Sequence, residues 1–196
     1  MLDPAAVALE RSVSDALAAR AYAQAATLAL KGYGPSVYAY LRAVLRDEDL
    51  ADESFSRFAE KLWRSIADFR GESSFATWSF RLAWYATKEL KRELARKRER
   101  PLSTGERSQL VLAVRESTAS YLRTGARDRW AKLRESLDPE ERSLLLLRIE
   151  RRLPWKEVVA VMADEGTPAA EAALRKRFER LRVKLRQLFK EYGLRP

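Results

Sequence analysis

The 196-residue chain contains no cysteine and no histidine. These absences exclude disulfide bonds, Cys/His zinc sites, thiol nucleophiles and the commonest general base, and with them most classes of enzyme. The sequence also lacks any apolar run near the roughly 20 residues of a membrane span. Acids and arginines interrupt the apolar residues of its N-terminus, which excludes a signal peptide. We therefore expect a non-enzymatic cytoplasmic protein with no cofactor, no metal, no small-molecule substrate and no membrane insertion.

Positive charge is in excess and unevenly distributed. The formal net charge is +10, and residues 175–190 carry eight Lys or Arg and a single acid. An acidic run, residues 47–53, lies far away in sequence. A nuclease-type magnesium site does not suit this run, because neighbouring carboxylates at a helix start point in different directions and negative charge is stabilised there in any case. The asymmetry predicts a polyanionic partner for one surface and a basic protein surface for the other.

Four helices are predicted in the first half of the chain. Residues 1–31 predict a first helix, ended by the helix-breaking residues Gly32, Gly34 and Pro35. A second helix follows from Ser36. The third helix contains one apolar stripe, formed by Phe55, Phe58, Leu62 and Ile66. A fourth and longer helix begins at Ser74, and no β-type alternation of useful length occurs.

The second half predicts a separate helical bundle. Segment 97–126 mixes basic, small polar, proline and glycine residues and predicts a polar linker with one candidate helix over residues 110–122. Beyond it, residues 127–137 predict a helix, and Asp138-Pro139 predicts the N-cap and first turn of the next one. Helices over residues 155–163 and after Thr167-Pro168 complete the bundle. The predicted fold class is all-α, with two small helical bundles joined by a polar linker and a helix-turn-helix in the second.

The long helix from Ser74 has two distinct faces. One face carries the apolar stripe of Phe75, Trp78, Leu82, Ala86 and Leu90. The opposite face carries Thr77, Phe80, Trp84, Lys88 and Lys91. Aromatic rings beside cations suit unstacked bases and their phosphates, so this face is a candidate single-strand surface. The alternative is that Phe80 and Trp84 are buried against another helix.

The last two helices predict a DNA-binding helix-turn-helix, since a short helix and a turn containing Gly166 precede a helix rich in arginine. With Leu174 turned inward, Lys176 and Arg180 face outward and are the candidates for contact with base edges. Phosphate contacts are expected from cations at the sides of the helix, namely Arg175, Arg177, Arg182, Lys184 and Arg186. A solvated basic helix without a ligand is the alternative.

Both halves together resemble the bacterial sigma factors of RNA polymerase, of the small two-domain extracytoplasmic-function type. The first half carries this resemblance in YGPSVYAYLR, ADESFSRFAEKLW, FRGESSFATW and AWYATKELKRELARKR. The second half carries it in LDPEERSLLLLRIERRLPWKEVVAVM and ALRKRFERLRVKL. The resemblance implies four segments: an N-terminal helical extension at 1–19, a region 2-like domain at 20–96, the linker at 97–126, and a region 4-like domain at 127–196.

The resemblance also implies a role for each surface, namely recognition of the minus-thirty-five and minus-ten promoter elements, promoter melting, and binding to core RNA polymerase. The polymerase contact is expected at Asp49, Asp52, Glu53, Ser56, Arg57, Glu60 and Trp63. The minus-ten single strand is expected at Phe69, Arg70, Ser73, Ser74, Thr77, Phe80, Arg81, Trp84, Lys88 and Lys91. The minus-thirty-five duplex is expected at Thr167, Ala172, Arg175, Lys176, Arg177, Arg180, Arg182 and Lys184.

The expected partners are core RNA polymerase and promoter DNA, and the resemblance makes an anti-sigma protein a plausible third. Ser56-Arg57 departs from the Gln-Glu that the family commonly has at the polymerase contact, and the turn from Ala163 to Thr167 is longer than usual. Two alternatives stay open on sequence alone. One is a freestanding helix-turn-helix regulator, which would act as a dimer on a two-fold operator. The other is a helical RNA-binding or scaffold protein.

Overall fold

The computed structural model describes residues 4–97 and 136–191, and the chain divides into two compact units, Met1–Tyr121 and Leu122–Pro196. All secondary structure within the described residues is helical, so the predicted all-α class is confirmed. The predicted helix at 110–122, and nearly all of the linker at 97–126 and of the predicted helix at 127–137, lie outside the described residues, and residues 136–137 form a turn. None of the described helices is both long and apolar enough to cross a membrane.

The first unit begins with helices α1 (Pro4–Ala18) and α2 (Tyr22–Leu45). The predicted helix break at Gly32, Gly34 and Pro35 is wrong, because the chain turns near Arg20, which has a φ of 57°, and α2 then continues through all three residues. Gly32 allows a close helix crossing, since a Cβ built there would lie 2.3 Å from a methyl carbon of Leu9. Pro35 costs α2 one backbone hydrogen bond.

Helix α3 (Glu48–Ser65) and the 3₁₀ turn Ile66–Asp68 follow. The helix start predicted at the acidic run is confirmed, because Asp47 is the N-cap and its side chain accepts a hydrogen bond from the backbone N–H of Leu50 at 2.9 Å. The predicted stripe is confirmed as core, since its four residues are all buried: Phe55, Phe58, Leu62 and Ile66. It packs against α2, where Tyr38 meets Phe55 edge to face at 5.5 Å between ring centroids.

Helix α4 (Phe75–Lys97) completes the described part of the first unit and packs against both α2 and α3. Ser74 caps it by accepting a hydrogen bond at Oγ from the backbone N–H of Thr77. Two ion pairs join the exposed sides of α3 and α4. Arg57 binds Glu93 at 2.6 Å and Lys61 binds Glu89 at 2.9 Å.

The second unit contains α5 (Pro139–Leu145), a π turn (Leu146–Glu150), α6 (Trp155–Met162) and α7 (Pro168–Glu191). The helix starts predicted at Asp138-Pro139 and Thr167-Pro168 are confirmed, and Asp138 forms a reciprocal capping box with Glu141. The turn between α6 and α7 therefore covers residues 163–167. The core is built from inward-facing residues of all three helices, including Leu144, Leu147, Val158, Phe178 and Leu181.

Candidate nucleic-acid interface

The aromatic face predicted on α4 is not exposed. Phe80 and Trp84 are only 6% and 3% exposed, and Thr77 is also buried. Phe80 packs edge to face on Tyr40 of α2, with 5.3 Å between ring centroids. The prediction that these two rings face solvent is therefore wrong, and the alternative of burial against another helix is correct. Helix α4 buries two sides because it lies against both α2 and α3.

An aromatic ring between two cations does occur on α4, one position further along the chain. The half-exposed ring of Tyr85 lies 5.6 Å from the guanidinium carbon of Arg81 and 5.3 Å from the ammonium nitrogen of Lys88. These three residues form a stripe at i, i+4 and i+7, which we call the α4 cationic face. Lys91 is exposed near its end. Arg81 and Lys88 were predicted from the sequence and Tyr85 was not, although its spacing from them was a usable signal.

The loop before α4 is held by packed aromatic rings. Phe69 contacts Phe75 at 4.9 Å and Trp78 at 5.3 Å between ring centroids, and Phe75 stacks on Tyr33 of α2. Phe69 and Trp78 are partly exposed at the edge of this cluster. Of the remaining predicted loop residues, Arg70 and Ser74 are exposed and Ser73 is half-buried. Gly71 has a φ of 71°, a conformation that favours glycine.

Most of the predicted polymerase contacts share the outer side of α3. Asp49, Glu53, Glu60 and Trp63 are exposed, and Trp63 is 52% exposed although it is a large apolar residue. Ser56 and Arg57 are half-buried between them. Burial lowers the pKa of Arg57, but its hydrogen bonds to Glu53 and Glu93 and the charges of those carboxylates raise it above the ordinary value.

Asp52 is the member of this set that the structure contradicts. It is 4% exposed and accepts a hydrogen bond from the hydroxyl group of Tyr38 at 2.6 Å, so it faces α2 rather than a partner. A helix turns by about 100° per residue, so Asp52 points to a different side of α3 from its neighbour Glu53, which is exposed. We therefore remove Asp52 from the candidate interface.

Comparison with known families now identifies the chain. Residues 30–99 match the family model for sigma-70 region 2. These residues form a sigma-70 region 2 domain, and the match supports a sigma-70 family sigma factor. No curated protein matches the chain. This domain supports a sigma factor role in promoter recognition and RNA polymerase binding, and favours it over the freestanding regulator and the RNA-binding scaffold.

In the second unit of this sigma factor, α7 presents the predicted helix with its expected orientation. Phe178, Leu181 and Leu185 are buried, while Lys176 and Arg180 are exposed. The exposed residue Thr167 caps the helix by accepting a hydrogen bond at its hydroxyl oxygen from the backbone N–H of Ala170. The other predicted residue of the first turns, Ala172, is also exposed.

Four of the cations predicted to bind phosphates already pair with acids of the same unit. Two pair along α7, where Arg175 binds Glu171 at 2.6 Å and Arg182 binds Glu179 at 3.0 Å. The other two join α7 to the start of α5. They are Lys184, which binds Glu141 at 2.7 Å, and Arg177, which binds Glu140 and Asp138.

Lys176 and Arg180 differ from these cations. Within the described residues, neither of the two has an ion-pair or hydrogen-bond partner. They line a shallow open concavity together with Glu141, Ala173 and Arg177. Within the described residues, no acid of the second unit therefore compensates the charges of Lys176 and Arg180.

The ring of Trp155, the first residue of α6, lies between two guanidinium groups. Arg148 is 5.3 Å and Arg175 is 5.2 Å from the ring centroid. The same ring meets Phe178 edge to face at 5.6 Å. Trp155 thus fixes α6 against α7 and also orients Arg175, a contact that the apolar pattern of α6 did not predict.

Proposed function

We propose that this sigma factor is of the small two-domain, extracytoplasmic-function type, and that it opens promoters only in complex with core RNA polymerase. In this proposal the first unit binds the polymerase and the melted minus-ten element, and the second unit binds the minus-thirty-five element as duplex. The observation that carries the proposal is the α4 cationic face, in which the charged groups of Arg81 and Lys88 lie 5.6 Å and 5.3 Å from the centroid of the Tyr85 ring. A ring flanked by cations stacks on an unpaired base and attracts its phosphates.

The polymerase contact is assigned to the exposed side of α3. Asp49, Glu53, Glu60 and Trp63 recur at nearly helical spacing and leave one acidic strip with an exposed indole. Acids around a large apolar side chain suit a partner helix that is basic and carries an apolar pocket, because interface centres are enriched in aromatic residues. Arg57 has a different role here, since its ion pair with Glu93 joins α3 to α4 and its ion pair with Glu53 lies within α3.

The duplex contact is assigned to α7, with Lys176 and Arg180 as the residues that reach base edges. The cations paired with acids have to exchange those partners before they can bind phosphates, so they contribute less to DNA affinity than their number suggests. Arg186 is exposed and completes the set on the same helix. The two surfaces suit different forms of promoter DNA. A recognition helix fits the groove of a duplex, and an aromatic ring stacks on the bases of a single strand.

Run-off transcription tests the proposal. Purified core polymerase, the full-length chain and a library of genomic fragments are combined, and the products are mapped. We expect discrete products that depend on both the chain and the core enzyme, with start sites that share two sequence elements upstream. Transcription that does not change when the chain is added would contradict the proposal.

A further inference from the structure

The carboxylate of Glu10 joins three helices of the first unit. One of its oxygens accepts a hydrogen bond from the hydroxyl group of Tyr33 in α2 at 2.6 Å. The other accepts a hydrogen bond from the backbone N–H of Phe75 at 2.5 Å. Phe75 is the first residue of α4, where backbone N–H groups have no partner within the helix and the helix dipole favours negative charge. A residue of α1 therefore satisfies the start of α4, 65 residues further along the chain.

This contact lies beneath the aromatic cluster that supports the loop at residues 69–74. Tyr33 stacks on Phe75 with 5.7 Å between ring centroids, and Phe75 contacts both Phe69 and Trp78. Burial raises the pKa of Tyr33, and the hydrogen bond and charge of Glu10 raise it further, so the hydroxyl group stays protonated as a donor. The ring and the hydroxyl group of Tyr33 thus both fix the position at which α4 begins.

Helix α1 is itself fixed to the rest of the unit. Val13 and Ala16 are buried, and Leu9 lies against Gly32 at the crossing with α2. Glu10 follows Leu9, so its carboxylate is carried by a packed helix rather than by a free end of the chain. Sequence analysis gave this N-terminal extension no function.

We propose that Glu10 is a positioning residue for the minus-ten site, holding the start of α4 and the loop at residues 69–74 in the arrangement that accepts the melted strand. The inference rests on the proposed function. It has a definite rival, in which the negative charge of Glu10 repels phosphates and restrains DNA binding. The two differ in sign, because loss of a positioning residue impairs promoter opening while loss of a repelling charge improves it.

Replacing Glu10 with glutamine, a neutral residue of the same shape, distinguishes the positioning role from the repelling role. In Glu10→Gln the amide oxygen can accept from the Phe75 N–H and the amide nitrogen can donate to the Tyr33 oxygen, so both hydrogen bonds are kept and only the charge is lost. Glu10→Ala removes the bonds and the charge together. Asp15→Ala, which removes an exposed acid from the same helix, is the matched control. Tyr33→Phe removes one of the two bonds without opening a cavity, and serves if Glu10→Ala fails to fold.

Two measurements are needed, both on the full-length chain. The first is hydrogen exchange of the backbone amides at residues 75–78 in the free protein. The second is promoter opening by reconstituted holoenzyme, followed by fluorescence of 2-aminopurine in the minus-ten element of a promoter found by run-off transcription. Binding to core polymerase and to minus-thirty-five duplex are measured alongside, since both surfaces lie elsewhere.

We expect Glu10→Ala to speed exchange at residues 75–78 and to reduce promoter opening by roughly tenfold or more, since losing one hydrogen bond to a charged group has about a tenfold effect and this variant loses two. Glu10→Gln and Asp15→Ala should behave as wild type, Tyr33→Phe should lie between, and binding to core polymerase and to duplex should not change. Opening by Glu10→Ala at the wild-type level, unchanged exchange, or improved opening in both Glu10 variants would overturn the inference while the proposed function stands. A wild-type chain that opens no promoter would overturn both.

Discussion

Tyr85 and Trp84 are neighbours in sequence with opposite surroundings. Trp84 is buried between helices, whereas the ring of Tyr85 is half-exposed and lies within 6 Å of two cationic groups. One residue of a helix turns the side chain by about 100°, which is enough to move it from core to surface. Substitution of the exposed Tyr85 should therefore affect DNA binding, and substitution of the buried Trp84 should affect folding.

We expect Tyr85→Ala to impair promoter opening by about 1 to 3 kcal/mol, the contribution of stacking one base on one ring, without a large change in thermal stability. Trp84→Ala should instead destabilise the first unit by about 3 to 5 kcal/mol, because it leaves a cavity in the core. Tyr85→Phe keeps the ring and should open promoters normally. Calorimetry of the free protein and base-analogue fluorescence with holoenzyme measure the two effects. An inactive Tyr85→Phe would show that the hydroxyl group, rather than stacking, matters.

The cations of α7 allow a second test at single residues. Lys176→Ala and Arg180→Ala should each reduce discrimination between a minus-thirty-five site and unrelated duplex by roughly 1 to 3 kcal/mol, if each reaches a base edge. Arg182→Ala should weaken all sequences about equally, because Arg182 is an exposed cation paired with Glu179. Competition binding of holoenzyme to matched and scrambled sites distinguishes a loss of sequence discrimination from a uniform loss of affinity. Equal behaviour of the three variants would exclude this register of α7 in the groove.

The start of a helix could be predicted from the sequence where residues within one turn determine it. N-caps and first-turn prolines are set by side chains within one turn, and the starts of α5 and α7 followed from Asp138-Pro139 and Thr167-Pro168. Predictions failed where packing against an element distant in sequence determines the structure. Gly32 ends a helix only if nothing packs on it, and here Leu9 of α1 occupies the space that a side chain would need. Likewise, periodicity predicted a stripe on α4 of which Phe75, Ala86 and Leu90 are buried and Trp78 and Leu82 half-buried, but it could not show that α4 packs against two helices.

The crossing of α1 and α2 gives a prediction for this element pair. Gly32→Ala should lower the melting temperature in the wild-type background, because the added methyl group meets Leu9 and displaces it. In a Leu9→Ala background the same change should raise it, since alanine is favoured over glycine inside a helix by about 1 kcal/mol. Gly166→Ala is the control, as nothing lies within 4 Å of a Cβ built there. Identical effects of Gly32→Ala in both backgrounds would contradict this account of the crossing.

The absence of histidine and cysteine shapes the behaviour of the whole molecule. Apart from the terminal amine, no group of ordinary pKa titrates between about pH 5 and pH 9, so stability should be nearly constant over that range. The loss of folding stability at alkaline pH should depend on the ionisation of tyrosine.

The net charge of +10 predicted an anionic partner, but only the structure shows which cations of the second unit are compensated by its own acids.

Tyr33 should contribute measurably to the loss of folding stability at alkaline pH. Its pKa is raised in the folded protein by burial and by Glu10, so the stability it confers is complete below the unfolded value of about 10 and is lost as the pH rises further. Wild-type protein should therefore lose stability above about pH 10 more steeply than Tyr33→Phe. Chemical denaturation between pH 7 and pH 11, followed by circular dichroism, measures the difference. Parallel profiles for the two proteins would exclude a linked proton at this site.

The π turn after α5 has a consequence for how this sigma factor can diverge. Its closing bond runs from the backbone N–H of Arg151 to the carbonyl oxygen of Leu146 at 2.9 Å, so the turn holds one residue more than an α-helical turn. Loss of the codon for exposed Ile149 would leave an ordinary turn with the flanking residues in place. Loss of one codon within α7 would rotate the remaining side chains by about 100° and place the core stripe in solvent. Single-residue length differences among relatives should therefore accumulate at the π turn.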